Sequence, residues 1–328
     1  MLASVLEPLI IIAALALAYA NGANANGANA NFKGVASLFG SGTVGYWGAV
    51  KWATVTTAAG CLVSVWASGS LLAAFTGKGL VPSELAAEPR FLFAVAAGAG
   101  LANLAATRLG FPVSTTHLLL GGLLGAGLGA RPEAVNFQRL WETFVRPLLL
   151  APVLAIALGS ALYYGMRSLR WVPEARNRTL DVLHFLSGGA VCFARGLNDT
   201  AKMAALMVGV AGLSVKASML LVLVAMALGG ILSARQVADT LAHKITAMNP
   251  GQGFAANLAT SVLTTTASLH GLPVSTTHVS VGALLGIGIT TRQAHWKTAI
   301  PVLLAWLVTL PCAALLSALT WRWIAAAK

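Results

Sequence analysis

The chain has 328 residues, of which 57% are hydrophobic and only 9% are charged, and its mean hydropathy is +0.79. A water-soluble domain usually carries about 25% charged residues, so the composition excludes an ordinary soluble protein and predicts a multi-pass protein of the lipid bilayer. The net charge of +12 would suggest nucleic acid as a partner of a soluble protein. Here the basic residues lie mostly between apolar runs, so we expect no nucleic-acid binding.

Apolar runs follow one another along the chain. Six are long enough, about 20 residues, to cross a hydrocarbon core of about 30 Å. They lie near residues 46–70, 91–109, 143–165, 215–233, 254–270 and 299–324. Two further apolar segments, 2–20 and 180–194, end in stretches rich in Asn and Gly, and the turn-forming residues of 249–257 indicate a connecting loop. The fold class predicted is an all-α polytopic membrane protein with broken helices.

Two stretches that follow apolar segments carry polar and charged side chains. One is Asn-Gly-Ala-Asn-Ala-Asn-Phe-Lys-Gly at 26–34, and the other is Arg-Gly-Leu-Asn-Asp-Thr-Ala-Lys at 195–202. Gly and Asn at this density predict a break in a membrane helix, and irregular backbone at membrane depth is tolerated where it lines a cavity. Ionisable groups inside a membrane are candidates for function, although a group near the interface can reach water instead. We interpret four of these residues as substrate-binding: Lys33, Lys202, Asn29 and Asn198.

The hexapeptide Pro-Val-Ser-Thr-Thr-His occurs twice, at 112–117 and 273–278. Proline suits the first helical turn and Ser or Thr suits the cap, so each copy predicts a helix that begins inside the membrane. The free N–H groups at a helix start attract anions, and hydroxyl groups add donors, unless they satisfy their own helix. Two matched copies favour substrate binding by the six hydroxyl residues Ser114, Thr115, Thr116, Ser275, Thr276 and Thr277.

His117 and His278 close the two hexapeptides. Their imidazoles could relay protons or bind the anion, or they could be interhelical hydrogen-bonding groups. The apolar stretch after each hexapeptide is only about 15 residues long, which is short for a full crossing. Re-entrant hairpins are therefore expected at both places.

The two halves of the chain align with each other. The hexapeptides differ by 161 positions, an upstream offset of 169 pairs Lys33 with Lys202, and a further offset of 174 pairs Gly22 with Gly196. The extra residues come from a pentapeptide, Asn-Gly-Ala-Asn-Ala, that occurs in tandem over 21–30, and the register of this stretch stays open.

This alignment predicts a first transmembrane repeat over residues 1–166 and a second over 180–328. The segment 167–179 between them is rich in Arg and is expected to be a cytoplasmic linker. If each repeat crosses the bilayer an odd number of times, the repeats have inverted topology, which is a recurring transporter plan.

The paired hexapeptides and the Gly-Leu-Asn-Asp element at 196–199 resemble the signatures of the PiT family of inorganic phosphate transporters, which also includes sulfate permeases. The resemblance covers nearly the whole chain, because both halves carry both signatures. It implies inverted repeats, a central anion site, termini outside the cytoplasmic membrane, a homodimer and cation-coupled uptake without a cofactor. In sodium-coupled members an Asn-Asp-x-x-Asn pattern binds sodium. By that resemblance a coupling-ion site would include Asp199, Asn31 and Asn198, with any Na+ at Asp199.

The chain departs from the sodium-binding pattern in both halves. Ala30, or Ala25 in the other register, replaces the first-half Asp, and Lys33 and Lys202 replace the final Asn of each pattern. Both changes remove negative charge or add positive charge, and a lysine ammonium could do the electrostatic work of a bound sodium ion. We therefore hypothesise coupling to H+, or loss of at least one Na+ site.

Phosphate and sulfate both remain candidate substrates. Phosphate carries a proton near pH 7 and prefers a site with an acceptor such as Asp199, whereas sulfate needs donors only. We place phosphate first on family frequency. A passive anion channel, rather than a coupled carrier, is the alternative function. Nothing in the sequence resembles a catalytic nucleophile with its base, so we do not expect an enzyme.

Overall fold

The computed structural model of the protein describes residues 2–23, 34–108, 113–170, 177–232, 249–294 and 296–326. Most of these residues are helical, which satisfies backbone polar groups within each segment, as a hydrocarbon environment requires. The first half contains α1 (Leu2–Ala23), α2 (Ala36–Gly40), α3 (Tyr46–Ala67), α4 (Gly69–Phe75), α5 (Ser83–Ala86), α6 (Pro89–Arg108), α7 (Thr115–Ala130), α8 (Phe137–Leu140) and α9 (Arg146–Ser168). The second half contains α10 (Arg178–Ala204), α11 (Val215–Leu232), α12 (Pro250–Leu269), α13 (Thr276–Thr290) and α14 (Trp296–Ala326). A π-helical turn, Trp141–Val145, joins α8 to α9 without interrupting the helix.

Seven helices within the described ranges are long and apolar enough to cross a membrane. This finding confirms the prediction of an all-α polytopic membrane protein. The seven candidate spans are Ser4–Gly22, Tyr46–Ala67, Pro89–Ala106, Phe137–Ser168, Arg178–Ala204, Val215–Leu232 and Leu303–Ala326.

The predicted apolar run 254–270 forms α12, but α12 is not one of these seven spans. Several of its positions carry Ser or Thr, and Thr260, Ser261, Thr264 and Ser268 are buried. The helix packs against α10, so its polar side chains face protein. This run is therefore less apolar than the seven candidate spans, and its crossing of the bilayer stays a prediction.

The helix break predicted at 195–202 is also wrong. The helix α10 runs without interruption from Arg178 to Ala204. Charged and polar side chains at helical spacing pair with each other here: Arg195 lies beside Asp199 at i,i+4, and Lys202 lies beside Asp199 at i,i+3. Such pairs support a helix rather than break it.

A third correction concerns 249–257, which was predicted to be a loop. Asn249 caps α12, and Pro250 occupies its first turn. The Asn249 side chain accepts a hydrogen bond from the Gln252 backbone N–H at 2.9 Å, and the Gln252 side chain accepts one from the Asn249 N–H at 3.1 Å. This reciprocal capping box shows why turn-forming residues stand at a helix start.

Corresponding helices of the two halves make corresponding contacts. The helix α7 packs on α14, as α13 packs on α9, and α10 packs on α3, as α1 packs on α11. Each half therefore contributes helices to the surroundings of the other. Inverted topology and re-entrant insertion of α7 and α13 remain predictions, as do the boundaries proposed for the two repeats and the linker.

The contacts between halves depend on glycines at matched positions. A Cβ added to Gly196 of α10 would lie 2.2 Å from the Thr57 carbonyl oxygen, and one added to Gly22 of α1 would lie 2.2 Å from the Met226 carbonyl oxygen. Thr57 and Met226 differ by the same offset of 169 that aligns this part of the halves. Small residues of this kind let membrane helices approach backbone to backbone.

Candidate functional site

The two hexapeptides meet where α7 and α13 begin. Ser114 is the N-cap of α7, and its hydroxyl accepts a hydrogen bond from the His117 backbone N–H at 3.3 Å. Ser275 caps α13 in the same way, with the His278 N–H at 3.3 Å. In this conformation the two serine hydroxyls thus serve their own helices.

The threonines tie the two hexapeptides to each other. The Thr116 hydroxyl donates to the Val274 carbonyl oxygen at 3.0 Å, and the Thr277 hydroxyl donates to the Val113 carbonyl oxygen at 3.3 Å. Thr116 and Thr277 are equivalent positions, as are Val113 and Val274. The reciprocal bonds hold two helix starts together across the interface of the halves, where their N–H groups favour an anion.

The remaining threonines lie at the same junction. The Thr115 hydroxyl accepts a hydrogen bond from Asn21 Nδ2 at 2.5 Å, and Thr276 is buried. The six hydroxyl residues predicted from sequence are therefore placed on two adjoining helix starts.

The Lys202 ammonium lies among four oxygen atoms. It donates to Thr116 Oγ1 at 2.8 Å and to the Val274 carbonyl oxygen at 2.8 Å, and it also bonds Asn198 Oδ1. The fourth oxygen, Asp199 Oδ1, is 3.3 Å away. Lys202 is fully buried, so these oxygens replace its hydration shell.

Arg195 and Asn21 lie on the other side of Asp199. Together with Lys202 and Asn198, these three residues form a buried cluster that we call the polar centre. Arg195 Nη2 donates to the Asn21 backbone oxygen at 3.0 Å and also bonds the Asn21 side-chain oxygen. Arg195 Nε is 3.7 Å from Asp199 Oδ2, to which Asn21 Nδ2 donates at 3.3 Å. Both carboxylate oxygens of Asp199 are thus engaged, one on each side.

The charges in this centre do not cancel. Among the described residues of this centre, Arg195 and Lys202 contribute two positive charges and Asp199 contributes one negative charge, which leaves one positive charge in excess. All three side chains are at most 3% exposed. An unbalanced buried cation is costly, and binding of an anion relieves that cost.

Sequence reasoning missed several parts of the site. Ser268 of α12 accepts from Asn198 Nδ2 at 2.7 Å, and the Phe75 ring centroid lies 5.9 Å from Lys202 Nζ. Asn21 was also missed, although it is the counterpart of Arg195 at the offset of 174 and that alignment could have indicated it. Three predicted site residues, Lys33, Asn29 and Asn31, lie outside the described residues.

A cavity of about 390 Å³ lies near the C-terminal end of α10. Its lining includes Ala205, three positions beyond Lys202, and Thr76, which follows Phe75. Glu7 and Lys78 are its charged lining residues. Two residues of the cavity lining, Ala205 and Thr76, are therefore close in sequence to Lys202 and Phe75.

Comparison with known proteins assigns this architecture. Residues 26–317 match the model of the phosphate transporter family. The chain belongs to the phosphate transporter family. This confirms the resemblance predicted from the hexapeptides, and with its apolar helices this family member is an integral, multi-pass membrane protein.

Curated relatives of this family member carry matching names. A probable low-affinity inorganic phosphate transporter of Rhizobium meliloti is 32% identical over 257 residues, which cover 74% of this chain and 76% of the relative. A protein of the same description from Mycobacterium tuberculosis is 29% identical over 330 aligned positions, covering 95% of this chain and 76% of the relative. A solved structure titled the sodium-dependent phosphate transporter superposes with a TM-score of 0.80 at 21% identity, covering 99% of this chain and 100% of the other. At that identity the structural likeness shows a shared fold.

Proposed function

We propose that this chain is a secondary active permease that imports inorganic phosphate across the cytoplasmic membrane. One observation carries the proposal: a buried centre with one excess positive charge lies against two adjoining helix starts. A tetrahedral oxyanion supplies the missing negative charge, and its oxygens accept bonds from the surrounding donors. Family membership and the names of the relatives support phosphate as the anion.

The hydroxyl bonds of the hexapeptides fit a transport cycle. In the described conformation the hydroxyls of Thr116 and Thr277 donate hydrogen bonds to carbonyl oxygens of the opposite half. When the two helix starts separate, those donors become available to phosphate oxygens. Substrate binding then replaces a protein–protein hydrogen bond with a protein–phosphate bond at each position.

We assign H+ rather than Na+ as the coupling ion. The oxygens of Thr116, Asn198, Asp199 and Val274 surround the Lys202 ammonium, and carboxylate, amide, hydroxyl and carbonyl oxygens are the groups that bind sodium in transporters. The Lys202 ammonium is a cation attached to the chain, and it occupies the place among these oxygens that a free Na+ would otherwise fill. The arrangement of oxygens around Lys202 supports the hypothesis of H+ coupling that we drew from the replaced Asn and Asp of the sodium-binding pattern.

Transport by purified protein in liposomes tests the function and its coupling. With the liposome exterior held more acidic than the lumen, we expect labelled phosphate to accumulate above its external concentration, which a channel cannot achieve. The accumulation should be equal when choline replaces sodium at the same two pH values. Downhill flux without accumulation would indicate the channel instead. Strict dependence on sodium at constant pH would contradict the assignment of H+.

Sulfate is the second candidate, on one observation. Both Asp199 oxygens are engaged by Lys202, Arg195 and Asn21, which leaves the centre rich in donors, and a donor-only site suits sulfate. Competition of labelled phosphate uptake with sulfate, arsenate and molybdate separates the two candidates. We expect arsenate to compete better than sulfate, and the reverse order would reassign the substrate.

We also propose that the protein is a homodimer, as the resemblance implies. We further propose that both termini lie on the external side of the cytoplasmic membrane. The Arg-rich segment 167–179 supports an inward-facing linker by the positive-inside rule. Light scattering of the purified protein in detergent tests the dimer, and a fluorescent reporter fused to either terminus tests the orientation.

A further inference from the structure

The imidazole rings of two histidines from opposite halves lie against each other. The ring centroids of His117 and His278 are 4.5 Å apart, with the planes tilted by 43°. His278 in turn stacks on Trp306 of α14, with centroids 3.6 Å apart and planes 27° apart. The three residues are 8%, 4% and 7% exposed, so the stack is almost removed from solvent.

The backbone holds this stack in place. Both histidines stand in the first turn of their helices, and each backbone N–H is bound by the N-cap serine three positions before it. Each histidine directly follows the threonine that ties the hexapeptides together. Movement of one helix start relative to the other therefore changes the spacing of the rings and of the substrate donors together.

The spacing of the rings limits their charge. Two imidazolium cations 4.5 Å apart in a buried setting would repel each other. The pair therefore takes up one proton beyond its two neutral imidazoles, which makes one ring an imidazolium at a time. The Trp306 face favours that proton on His278, because an aromatic face attracts a cation. His117 is the less favourable place, because it directly follows Thr116, whose hydroxyl holds the Lys202 ammonium at 2.8 Å.

Among the described residues, the charged group that acts on His117 is Lys202 of α10, which is paired with Asp199. Asp199 is in turn paired with Arg195, the third charged member of the polar centre. The described helices α7, α12 and α13 contain no Asp, Glu, Lys or Arg. The charged residues of α6, α9 and α14 lie near helix ends: Arg90, Arg108, Arg146, Arg167, Lys297 and Arg322.

We propose that His117 and His278 form the proton-coupling site of this permease. A proton enters with phosphate from outside, resides on His278 against Trp306, and leaves on the inside when phosphate leaves. Its binding adds a second excess positive charge beside the polar centre, which the arriving anion compensates, so proton and phosphate favour each other. The proposal rests on the proposed function and names the residues that carry its coupling ion.

Two assays on the full-length protein in liposomes test the proposal. The first measures exchange of labelled phosphate for unlabelled phosphate at equal pH, which needs no net proton movement. The second measures uphill uptake driven by an acidic exterior. We expect His117→Gln and His278→Gln to keep exchange and to lose uphill uptake by about tenfold or more.

Matched variants separate coupling from packing. Trp306→Phe keeps an aromatic face and should keep uphill uptake, whereas Trp306→Leu should reduce uphill uptake but not exchange. His270→Gln changes an exposed histidine and should leave both assays unchanged. His184→Gln changes a buried histidine that hydrogen-bonds Ser37 at 2.8 Å, and it should also keep uphill uptake.

Three results would overturn the proposal. One is equal loss of exchange and uphill uptake in both stack variants, which would make the stack a packing element. Another is full uphill uptake in both, and the last is selective loss of uphill uptake in His184→Gln alone. Failure of the wild-type protein to exchange phosphate would instead refute the proposed function.

Discussion

Arg195 and Asn21 occupy equivalent positions of the two halves, and they bind each other at the centre of the molecule. Arg195 Nη2 donates to the Asn21 backbone oxygen at 3.0 Å, and the two positions differ by the offset of 174 that aligns their helices. This contact joins α10 of the second half to α1 of the first half. The polar centre, the crossed threonine bonds and the histidine stack all combine such pairs.

Replacement of Arg195 by Gln should impair phosphate uptake. The change removes the excess positive charge of the centre and one of the two cations that flank Asp199. We expect the phosphate KM to rise by about tenfold or more, since a charge-assisted bond contributes about 1.5–3 kcal/mol. Arg322→Gln, which removes an exposed arginine of α14, is the control and should behave as wild type. Equal kinetics for both variants would remove Arg195 from the substrate site.

Replacement of Lys202 by Asn should make transport respond to sodium. Asn restores the residue of the sodium-binding pattern and vacates the oxygens of Thr116, Asn198 and Val274. We expect phosphate uptake by Lys202→Asn to be low in choline and to increase with sodium concentration. Lys202→Met, which removes the charge but fills the space, should stay inactive in both media. Sodium independence of the Asn variant would contradict the role of Lys202 as a fixed cation.

Removal of the crossed threonine hydroxyls should impair transport. Thr116→Val and Thr277→Val keep the shape of the side chain but remove the donor to the opposite carbonyl oxygen. We expect uptake to fall by about tenfold to a hundredfold for each, which corresponds to the loss of one hydrogen bond to an anion. Thr116→Ser and Thr277→Ser retain the hydroxyl and should restore most activity. If the Ser and Val variants transported equally, the hydroxyls would not contact substrate.

Addition of a methyl group at Gly196 should destabilise the contact between α10 and α3. The new Cβ would lie 2.2 Å from the Thr57 carbonyl oxygen, and backbone atoms cannot move aside cheaply. We expect a loss of about 1–3 kcal/mol in stability, measured as a lower Tm in detergent. Gly100→Ala, in α6 with open space around the new atom, is the matched control and should leave Tm equal or higher. Equal Tm values for the two variants would show that the close approach is not structurally required.

The cavity beside α10 should be reachable from water when the transporter is open to that side. Ala205→Cys in a Cys312→Ser background places one thiol on the cavity lining, removes the exposed native cysteine and leaves the buried Cys61 and Cys192. We expect a membrane-impermeant thiol reagent to modify the introduced thiol from the side opposite the linker. Phosphate should slow that modification if the cavity leads to the substrate site. Modification from the linker side alone would contradict the predicted orientation.

Some features of this protein depend on neighbouring residues alone, and these could be predicted from the sequence. Long apolar runs must form helices in lipid, because each backbone polar group needs a partner within the segment. Ser114 and Ser275 are N-caps for the local reason expected, and the repeated hexapeptide indicated two equivalent helix starts. Local pattern also misled: the polar residues of 195–202 indicated a break, although their i,i+3 and i,i+4 pairing stabilises α10.

Which of these groups meet depends on the packing of distant helices. Lys202 binds Val274, which is 72 positions away, and Thr116 binds the same carbonyl across 158 positions. No local rule gives such contacts, because they follow from glycine-lined helix crossings that bring the two halves backbone to backbone. That packing places the Lys202 ammonium among four oxygen atoms. It also places the His117 ring against the His278 ring. Lys202, Asn198 and the hydroxyl residues of the site could be found in the sequence, whereas Ser268, Phe75 and the contacts between distant residues required the fold.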